Sequence, residues 1–489
     1  MSLLNKILGK PLASAEEDEE KIGVLAGIPI LGLDGLSSAA YGPEAALTIL
    51  LPLGAIGLIY IGPIILVILV ILTILYFSYR QTISAYPTGG GSYTVAKENL
   101  GVSAGLLAAA ALMIDYVLTV AVGISAGIGA LVSAVPSLHS YTVTLCLITL
   151  LLITVVNLRG VREPGVLFSI PTYLFVGCLI IIILIGIYQT ISHAGQPIPV
   201  IAPPTPPGGI EAVSLWLLLR AFASGCTAMT GVEAVSNGVT AFAAPTVNKA
   251  QRTLTAIVGI LAVLLGGIAY LSHAYGVGAM DQEKEGYQSI ISQLAGAIVD
   301  HGVFYYVTIA SVLAVLALSA NTSFADFPRL SHLIADDSYL PHIFSNRGRR
   351  LVYSMGIFIL ALLSGALLIG FGGITDRLIP LYAVGAFLAF TLSQLGMVMH
   401  WRRVGGKGSR FSLLINAVGA ISTTAALVVI LVAKFLEGAW ITVLIIPLML
   451  FFFGWVKRYY ENLDREISGH RPLELTSNDP PVVLIPINK

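Results

Sequence analysis

Charged residues are scarce in this chain. Only 11% of its 489 residues are charged, and 26 basic side chains balance 26 acidic ones. A soluble domain carries about 25% charged residues, so these charges are too few to cover a surface that faces water. The zero net charge also provides no bulk attraction to nucleic acid. The composition therefore argues against a soluble protein and against a nucleic-acid-binding one.

Cysteine and catalytic motifs are also rare. The three cysteines, Cys146, Cys178 and Cys226, lie in apolar stretches without metal-ligand spacing, so we expect buried hydrophobic side chains. No His or Cys cluster suits a transition metal, and no nucleophile–base pair is evident. The glycines at 89–91 lack the phosphate-loop pattern, which argues against ATP-driven transport. The sequence predicts neither an enzyme nor a cofactor.

Long apolar runs, in contrast, are abundant. Hydrophobic residues make up 56% of the chain, and the mean hydropathy is +0.89. A membrane-spanning helix needs about 20 apolar residues. The runs predict an all-α membrane protein with twelve spans, at about 24–52, 55–80, 102–134, 140–158, 163–191, 212–242, 252–278, 302–333, 351–371, 376–401, 411–435 and 438–458.

Basic residues are distributed unequally between the predicted loops. Alternate loops are rich in Lys and Arg, whereas the others hold only Lys284, Arg377 and Lys434. Cytoplasmic loops carry the positive excess, so both termini are expected in the cytoplasm of a bacterial cell, with the chain in the plasma membrane. We predict a cytosolic N-terminal arm over 1–21 without a signal peptide, a transporter domain over 22–460, and a cytosolic tail over 461–489. The segment DPPVVLIPINK in that tail resembles the start of a further C-terminal domain.

Two predicted spans are polar in the middle. Residues 32–42 interrupt helix 1 and residues 224–233 interrupt helix 6, and each interruption contains an acid. Interrupted helices at corresponding positions of two halves indicate a transporter's binding site, because the freed backbone groups cannot face lipid. The five-span offset predicts a five-plus-five inverted repeat with two added helices. The alternative is that the glycines merely let ordinary helices pack closely.

Five acids fall inside predicted spans. An acid there costs ~2.5–3.5 kcal/mol and is a functional candidate by default. Asp34 and Glu233 lie in or beside the interruptions and are the strongest candidates, and Asp115 lies in helix 3. Glu44 and Asp326 are expected to be structural, as caps or internal partners. Arg220 is a basic residue within a predicted span. We expect its guanidinium either to compensate the charge of one of these acids or to lie near the outer mouth of the transporter.

The residue types around Asp34 favour a cation. A carboxylate in the break would repel the carboxylate of an amino acid, whereas nearby hydroxyl and carbonyl oxygens suit K⁺. The hydroxyls belong to Ser37, Ser38, Tyr41, Tyr116, Thr119 and Thr230. Two alternatives remain open: a proton-coupled amino-acid or polyamine permease, and a membrane sensor that binds K⁺ without transporting it.

Several motifs resemble those of the KimA-type potassium importers, which belong to the amino acid–polyamine–organocation superfamily and are related to the Kup permeases. The similar segments are LDGLSSAAYG at 33–42, AYPTGGGSY at 85–93, DYVLTVAV at 115–122, TGVEA at 230–234 and IPLYAVG at 379–385. Asn321-Thr322 and Phe327-Pro328 fit as well. The resemblance extends through essentially the whole chain.

This resemblance implies a LeuT-type fold, proton-coupled K⁺ uptake with Rb⁺ as an analogue, and a homodimer. The family's cation site falls on Asp34, Tyr41, Tyr116, Thr119, Thr230, Glu233 and Tyr382, with K⁺ itself at Asp34, Tyr41, Thr119 and Thr230. The proton-coupling candidates are Asp34, Asp115 and Glu233. Gly123 stands where the family has a serine, which would remove one K⁺ ligand. The family's C-terminal domain implies a regulatory ligand, and the loop at 89–91 is either an inner gate or a packing turn.

Overall fold

A computed structural model describes residues 21–89, 91–159, 164–206, 208–284, 286–348, 352–406 and 408–467, without the side chains of 164–167. Most of the predicted N-terminal arm and the predicted start of a C-terminal domain lie outside the described residues. In the described part, helices form a single bundle without strands. The helices are α1 Val24–Leu31, α2 Leu33–Ser37, α3 Gly42–Leu50, α4 Gly57–Ala85, α5 Ser92–Leu100, α6 Val102–Ala134, α7 Thr142–Arg159, α8 Pro164–Ser192, α9 Leu215–Gly225, α10 Ala234–Asn237, α11 Thr246–Ala274, α12 Ile290–Val299, α13 Val303–Asp336, α14 Ser354–Gly370, α15 Thr375–Val404, α16 Ser409–Lys434 and α17 Ala439–Ile467.

The helices account for the twelve predicted spans. Ten described helical stretches are long and apolar enough to cross a membrane. The first, Leu33–Ala85, has 53 residues, which is enough for two crossings, and it is kinked at Gly54, where φ is 61°. The shorter apolar helix α14 supplies the remaining crossing. The helices α5 and α12 are too short to span and were not predicted.

Burial separates the inner helices from those facing lipid. The helices α6 and α15 are buried on nearly all sides, so they form the centre of the bundle. Helices α7, α14 and α17 instead expose large apolar side chains, such as Leu151, Leu362 and Phe451. An exposed apolar surface of this kind suits a bilayer. The three cysteines are buried and free, as the sequence predicts.

The first and sixth spans run in opposite directions. The amide of Ile22 donates to the Ala241 carbonyl at 2.9 Å, so the start of the first span lies beside the end of the sixth. Further along, Gly42 packs against Ala228, and Gly209 packs against Leu53. This antiparallel pairing is the arrangement that an inverted repeat requires. We call the end of the bundle that holds Ile22 the N-terminal face, and the other end the opposite face.

Polar contacts tie several helices together at the N-terminal face. Tyr93 and Lys97 of α5 both donate to the Asp337 carboxylate, just beyond α13. The Lys457 ammonium of α17 donates to the Asp337 carbonyl at 3.1 Å. Partial burial raises the pKa of Asp337, but the hydrogen bonds from Lys97 and Tyr93 outweigh it and hold that pKa below its ordinary value. Asp337 therefore joins three helices as a carboxylate.

Arg220 does not balance an acid of the interrupted helices. Its guanidinium Nε donates to Glu437 at 2.8 Å, and the Lys434 ammonium donates to the same carboxylate at 2.6 Å. The partner of Arg220 thus lies at the junction of α16 and α17.

Candidate functional site

The two interruptions meet at the centre of the bundle. In the sixth span, Thr230 is extended and Gly231 has a φ of 81°, before the helix resumes at Ala234. A Cβ on Gly231 would lie 2.6 Å from the Gly35 amide nitrogen and 2.7 Å from Asp34 Oδ2. Gly231 therefore permits both the left-handed backbone and the close approach of the two breaks.

The serines of the first break satisfy backbone groups. The Ser37 hydroxyl donates to the Asp34 carbonyl at 2.9 Å. The Ser38 hydroxyl lies 2.6 Å from the Gly35 carbonyl and 2.7 Å from the Ala228 carbonyl, which links the two breaks. Both serines therefore hold the breaks in shape, and each hydroxyl oxygen still has lone pairs that could accept a cation.

Four of the predicted site residues gather into one hydroxyl cluster. The Tyr382 hydroxyl lies 2.9 Å from the Thr119 hydroxyl and 2.8 Å from the Thr230 hydroxyl. The Tyr41 phenol interacts with Thr230 and Tyr382. These four residues come from four different spans, and the Asp34 carboxyl packs against Gly231, the neighbour of Thr230. The cluster therefore presents several oxygens beside one carboxyl group.

Three acids are buried near this cluster without a positive partner. Asp34, Asp115 and Glu233 are 7%, 1% and 2% exposed. None of them forms an ion pair with a described Lys, Arg or His within 4.0 Å. Both carboxyl oxygens of Asp115 and the Oε2 of Glu233 also lack a hydrogen-bond partner among the described residues. Since a buried bare carboxylate is costly, these acids require a proton or a cation.

Tyr116 lies on the side of the site toward the N-terminal face. Its hydroxyl accepts a hydrogen bond from the Asn237 amide at 3.3 Å. We did not predict Asn237 from the sequence, although it lies one helical turn after Glu233 and i, i+4 spacing places the two on one face. Gly89 and Gly91 pack against Asn237, so the glycine loop lies beside the end of α10; Gly90 lies outside the described residues.

A cavity of about 560 Å³ leads toward the site from the N-terminal face. It lies between α1, α8, α13 and α14, and its lining extends from Arg347 and Tyr353 to Leu33, the neighbour of Asp34. Asp326 and Arg329 line its α13 wall. Among the described residues, the lining reaches Leu33 and Ala234, the chain neighbours of Asp34 and Glu233, but includes neither acid.

The opposite face is closed by the loop between α11 and α12. The Tyr287 hydroxyl donates to Glu44 at 2.6 Å, and the Ile290 amide donates to the same carboxylate at 3.3 Å. The Arg377 guanidinium pairs with Glu283 at 2.6 Å. A space of only about 20 Å³ remains beside Tyr41. Glu44 thus has an internal partner, in agreement with the structural role predicted for it.

Gly123 faces helix α13 at close range. A Cβ there would lie 2.8 Å from the Ser319 hydroxyl oxygen and 2.9 Å from the Leu316 carbonyl oxygen. The glycine therefore lets α6 and α13 approach each other, and a serine side chain has no room in this packing.

Comparison with known proteins agrees with this architecture. A family model described as "Amino acid permease" matches residues 36–453. The chain is also 41% identical over 489 residues to the potassium transporter KimA of Bacillus subtilis (strain 168), covering 99% of this chain and 79% of that protein. With its interrupted, antiparallel first and sixth spans, the chain belongs to the amino acid permease family.

Proposed function

We propose that this protein imports K⁺ across the plasma membrane by proton symport and alternating access. The observation that carries the proposal is the hydroxyl cluster of Tyr41, Thr119, Thr230 and Tyr382 beside buried acids that lack a positive partner. The relative described above is named a potassium transporter. Both the site chemistry and this similarity support K⁺ as the substrate.

The chemistry of the site favours K⁺ over an amino acid. Hydroxyl and carboxyl oxygens can replace the hydration shell of a K⁺ ion, whereas Asp34 would repel the carboxylate of an amino acid. This counts against an amino-acid permease, and labelled uptake separates K⁺ from a polyamine.

The buried acids provide a place for the coupled proton. Asp115 and Glu233 have carboxyl oxygens without partners, and Asp34 lies at the break itself. Since burial of two or three negative charges together is unfavourable, at least one acid is protonated when the ion is absent. Binding of K⁺ would then change the number of protons that the site holds, which is the basis of symport.

The direction of transport follows from the charge distribution and the cavity. The basic loops predict that the N-terminal face is cytoplasmic. The structure would then be open toward the cytoplasm and closed outside by the loop that contacts Glu44. A membrane potential that is negative inside favours cation import by ~2.3 kcal/mol per charge per 100 mV.

Two parts of the proposal rest on the family resemblance. We propose that the chain forms a homodimer, and that a regulatory ligand binds a C-terminal domain. Mass measurement of the purified protein in lipid nanodiscs would test the first part. A longer native reading frame, and ligand binding by its product, would test the second.

Rb⁺ uptake by cells that lack their own K⁺ importers tests the proposed function. The unmodified chain should take up Rb⁺, a protonophore should abolish the uptake, and both Asp34→Asn and Glu233→Gln should reduce it strongly. Glu461→Gln, on an exposed part of α17, is the matched control and should leave uptake unchanged.

Other results would contradict the proposal in distinct ways. Rb⁺ binding to the purified protein without any flux would support the sensor alternative. Uptake of labelled polyamines that K⁺ does not inhibit would support the permease alternative. If a protonophore leaves Rb⁺ uptake unchanged, proton symport is excluded.

A further inference from the structure

The side chain of Gln282, in the loop between α11 and α12, completes the start of helix α15. Its Oε1 accepts a hydrogen bond from the Thr375 amide at 2.9 Å and another from the Asp376 amide at 3.4 Å. The first amides of a helix have no partner within that helix, and Ile374, the residue before α15, supplies no side-chain cap. Gln282 therefore caps α15 from a different part of the chain.

The nitrogen of the same carboxamide points toward the first span. Gln282 Nε2 donates to the Tyr287 hydroxyl at 3.2 Å, and that hydroxyl donates to Glu44 at 2.6 Å. Because backbone amides can only donate, the two amides of α15 fix which atom of the carboxamide is the oxygen. A continuous chain of hydrogen bonds thus runs from α15 through Gln282 and Tyr287 to α3.

Both ends of this chain of hydrogen bonds lead to the hydroxyl cluster. Tyr41 lies about one helical turn before Glu44, and Tyr382 lies about two turns after Thr375 along α15. The space of about 20 Å³ beside Tyr41 lies between these helices, and Gln282 is part of its lining. Gln282 therefore joins, from the opposite face, the two helices that carry the two tyrosines of the cluster.

Two further contacts hold this loop at the opposite face. The Arg377 guanidinium pairs with Glu283 at 2.6 Å, and the His139 Nε2 lies 3.3 Å from the Gln282 carbonyl oxygen. The ion pair is half exposed, so water weakens it. The Gln282 carboxamide differs from both contacts because it connects, directly and through Tyr287, the helices that carry the tyrosines.

We propose that Gln282 is a positioning residue, which holds the helices of Tyr41 and Tyr382 together while the opposite face is closed, so that closure there assembles the cation site. This inference rests on the proposed K⁺ transport and names the side chain that couples it to closure. When the loop moves away, Glu44 and the first amides of α15 lose their partners in one step. Water entering from the opposite face then replaces those partners, and the hydroxyl cluster loosens as the face opens.

Modification of an introduced cysteine measures opening at the opposite face. Ala130 is buried and lines the space beside Tyr41, so Ala130→Cys should react with a membrane-impermeant thiol reagent added at that face only when the loop moves away. Adding Gln282→Leu should make this reaction about tenfold faster, which corresponds to the loss of one or two hydrogen bonds. The chain without Ala130→Cys gives the background from the three buried native cysteines.

Gln288→Leu is the matched control for this substitution. Gln288 is half-buried in the same loop, and its side chain forms no hydrogen bond among the described residues. The control should leave the reaction rate of Ala130→Cys unchanged. Gln282→Ala, which adds no apolar bulk, provides a second test variant, and thermal unfolding of both Gln282 variants distinguishes opening of the face from misfolding.

Protection by Rb⁺ separates a positioning role from a purely structural one. If closure assembles the cation site, Rb⁺ should slow the modification of Ala130→Cys, and Gln282→Leu should raise the half-protecting Rb⁺ concentration about tenfold. An unchanged reaction rate in Gln282→Leu would overturn the proposal, and so would a faster reaction with an unchanged half-protecting concentration. If Rb⁺ fails to protect Ala130→Cys even with Gln282 present, the proposed cation binding fails, whereas the rates without Rb⁺ still decide whether Gln282 keeps this face closed.

Discussion

Replacing Tyr382 by Phe removes a single oxygen from the centre of the candidate K⁺ site. The ring is completely buried, and Phe retains it, so the packing of α15 should be preserved. The lost hydroxyl joins Thr119 at 2.9 Å and Thr230 at 2.8 Å. The substitution therefore tests the hydroxyl cluster rather than the stability of the bundle.

The size of the expected effect follows from the contacts that remain. Thr230 still donates to the Thr227 carbonyl at 3.0 Å, whereas Thr119 has no other hydrogen bond among the described residues. The variant also loses one oxygen ligand of the proposed ion site, and an interaction of a polar group with a charged one contributes about 1.5–3 kcal/mol. Since about 1.4 kcal/mol is a factor of ten, we expect the half-saturating Rb⁺ concentration to rise about tenfold.

Rb⁺ uptake over a range of concentrations measures this change. Tyr305→Phe is the matched control, because Tyr305 is also buried and its hydroxyl lies 2.6 Å from the Ser292 hydroxyl, away from the site. An unchanged half-saturating concentration in Tyr382→Phe would refute the assignment of this cluster as the ion site. An equal rise in both variants would show a general effect of lost hydroxyls.

Three further predictions concern the packing and the two faces. Gly123→Ser should lower the free energy of unfolding by about 1–3 kcal/mol, because its Cβ would lie 2.8 Å from the Ser319 hydroxyl oxygen; thermal unfolding measures this, and an unchanged melting temperature would contradict the packing. Tyr287→Phe removes the 2.6 Å hydrogen bond to Glu44, so hydrogen–deuterium exchange in the loop between α11 and α12 should become faster, and unaltered exchange would show that this bond does not hold the loop. Asp337→Asn should lower the melting temperature at neutral pH. The folded pKa of Asp337 is below its ordinary value of 3.8. The carboxylate therefore stabilises the fold above about pH 3.8, and this stabilisation disappears as the pH falls through the folded pKa. A difference in melting temperature that persists at lower pH would contradict this ion pair.

The contacts of Gly123 and of the two serines in the first break could not be predicted from the sequence. Gly123 looks from the sequence like a missing ligand, but the structure shows a contact with α13 that leaves no room for a side chain. Ser37 and Ser38 look like ligands from the sequence, and the structure adds that their hydroxyls donate to backbone carbonyls. In each case the neighbouring atoms that the residue contacts are visible only in the structure.

The sequence by itself determined the membrane class, the twelve spans, the two interrupted helices and the buried acids. These features are local, because lipid requires about 20 consecutive apolar residues and each interruption shows as polar residues within such a run. The tertiary structure alone decided that Tyr382 joins Thr119 and Thr230, that Glu44 is held by Tyr287, and that Asp326 lines a cavity. These facts depend on contacts between spans that are far apart in the chain. A side chain's free hydrogen-bonding capacity is set by the atoms packed around it, and those atoms come from helices that no local pattern pairs.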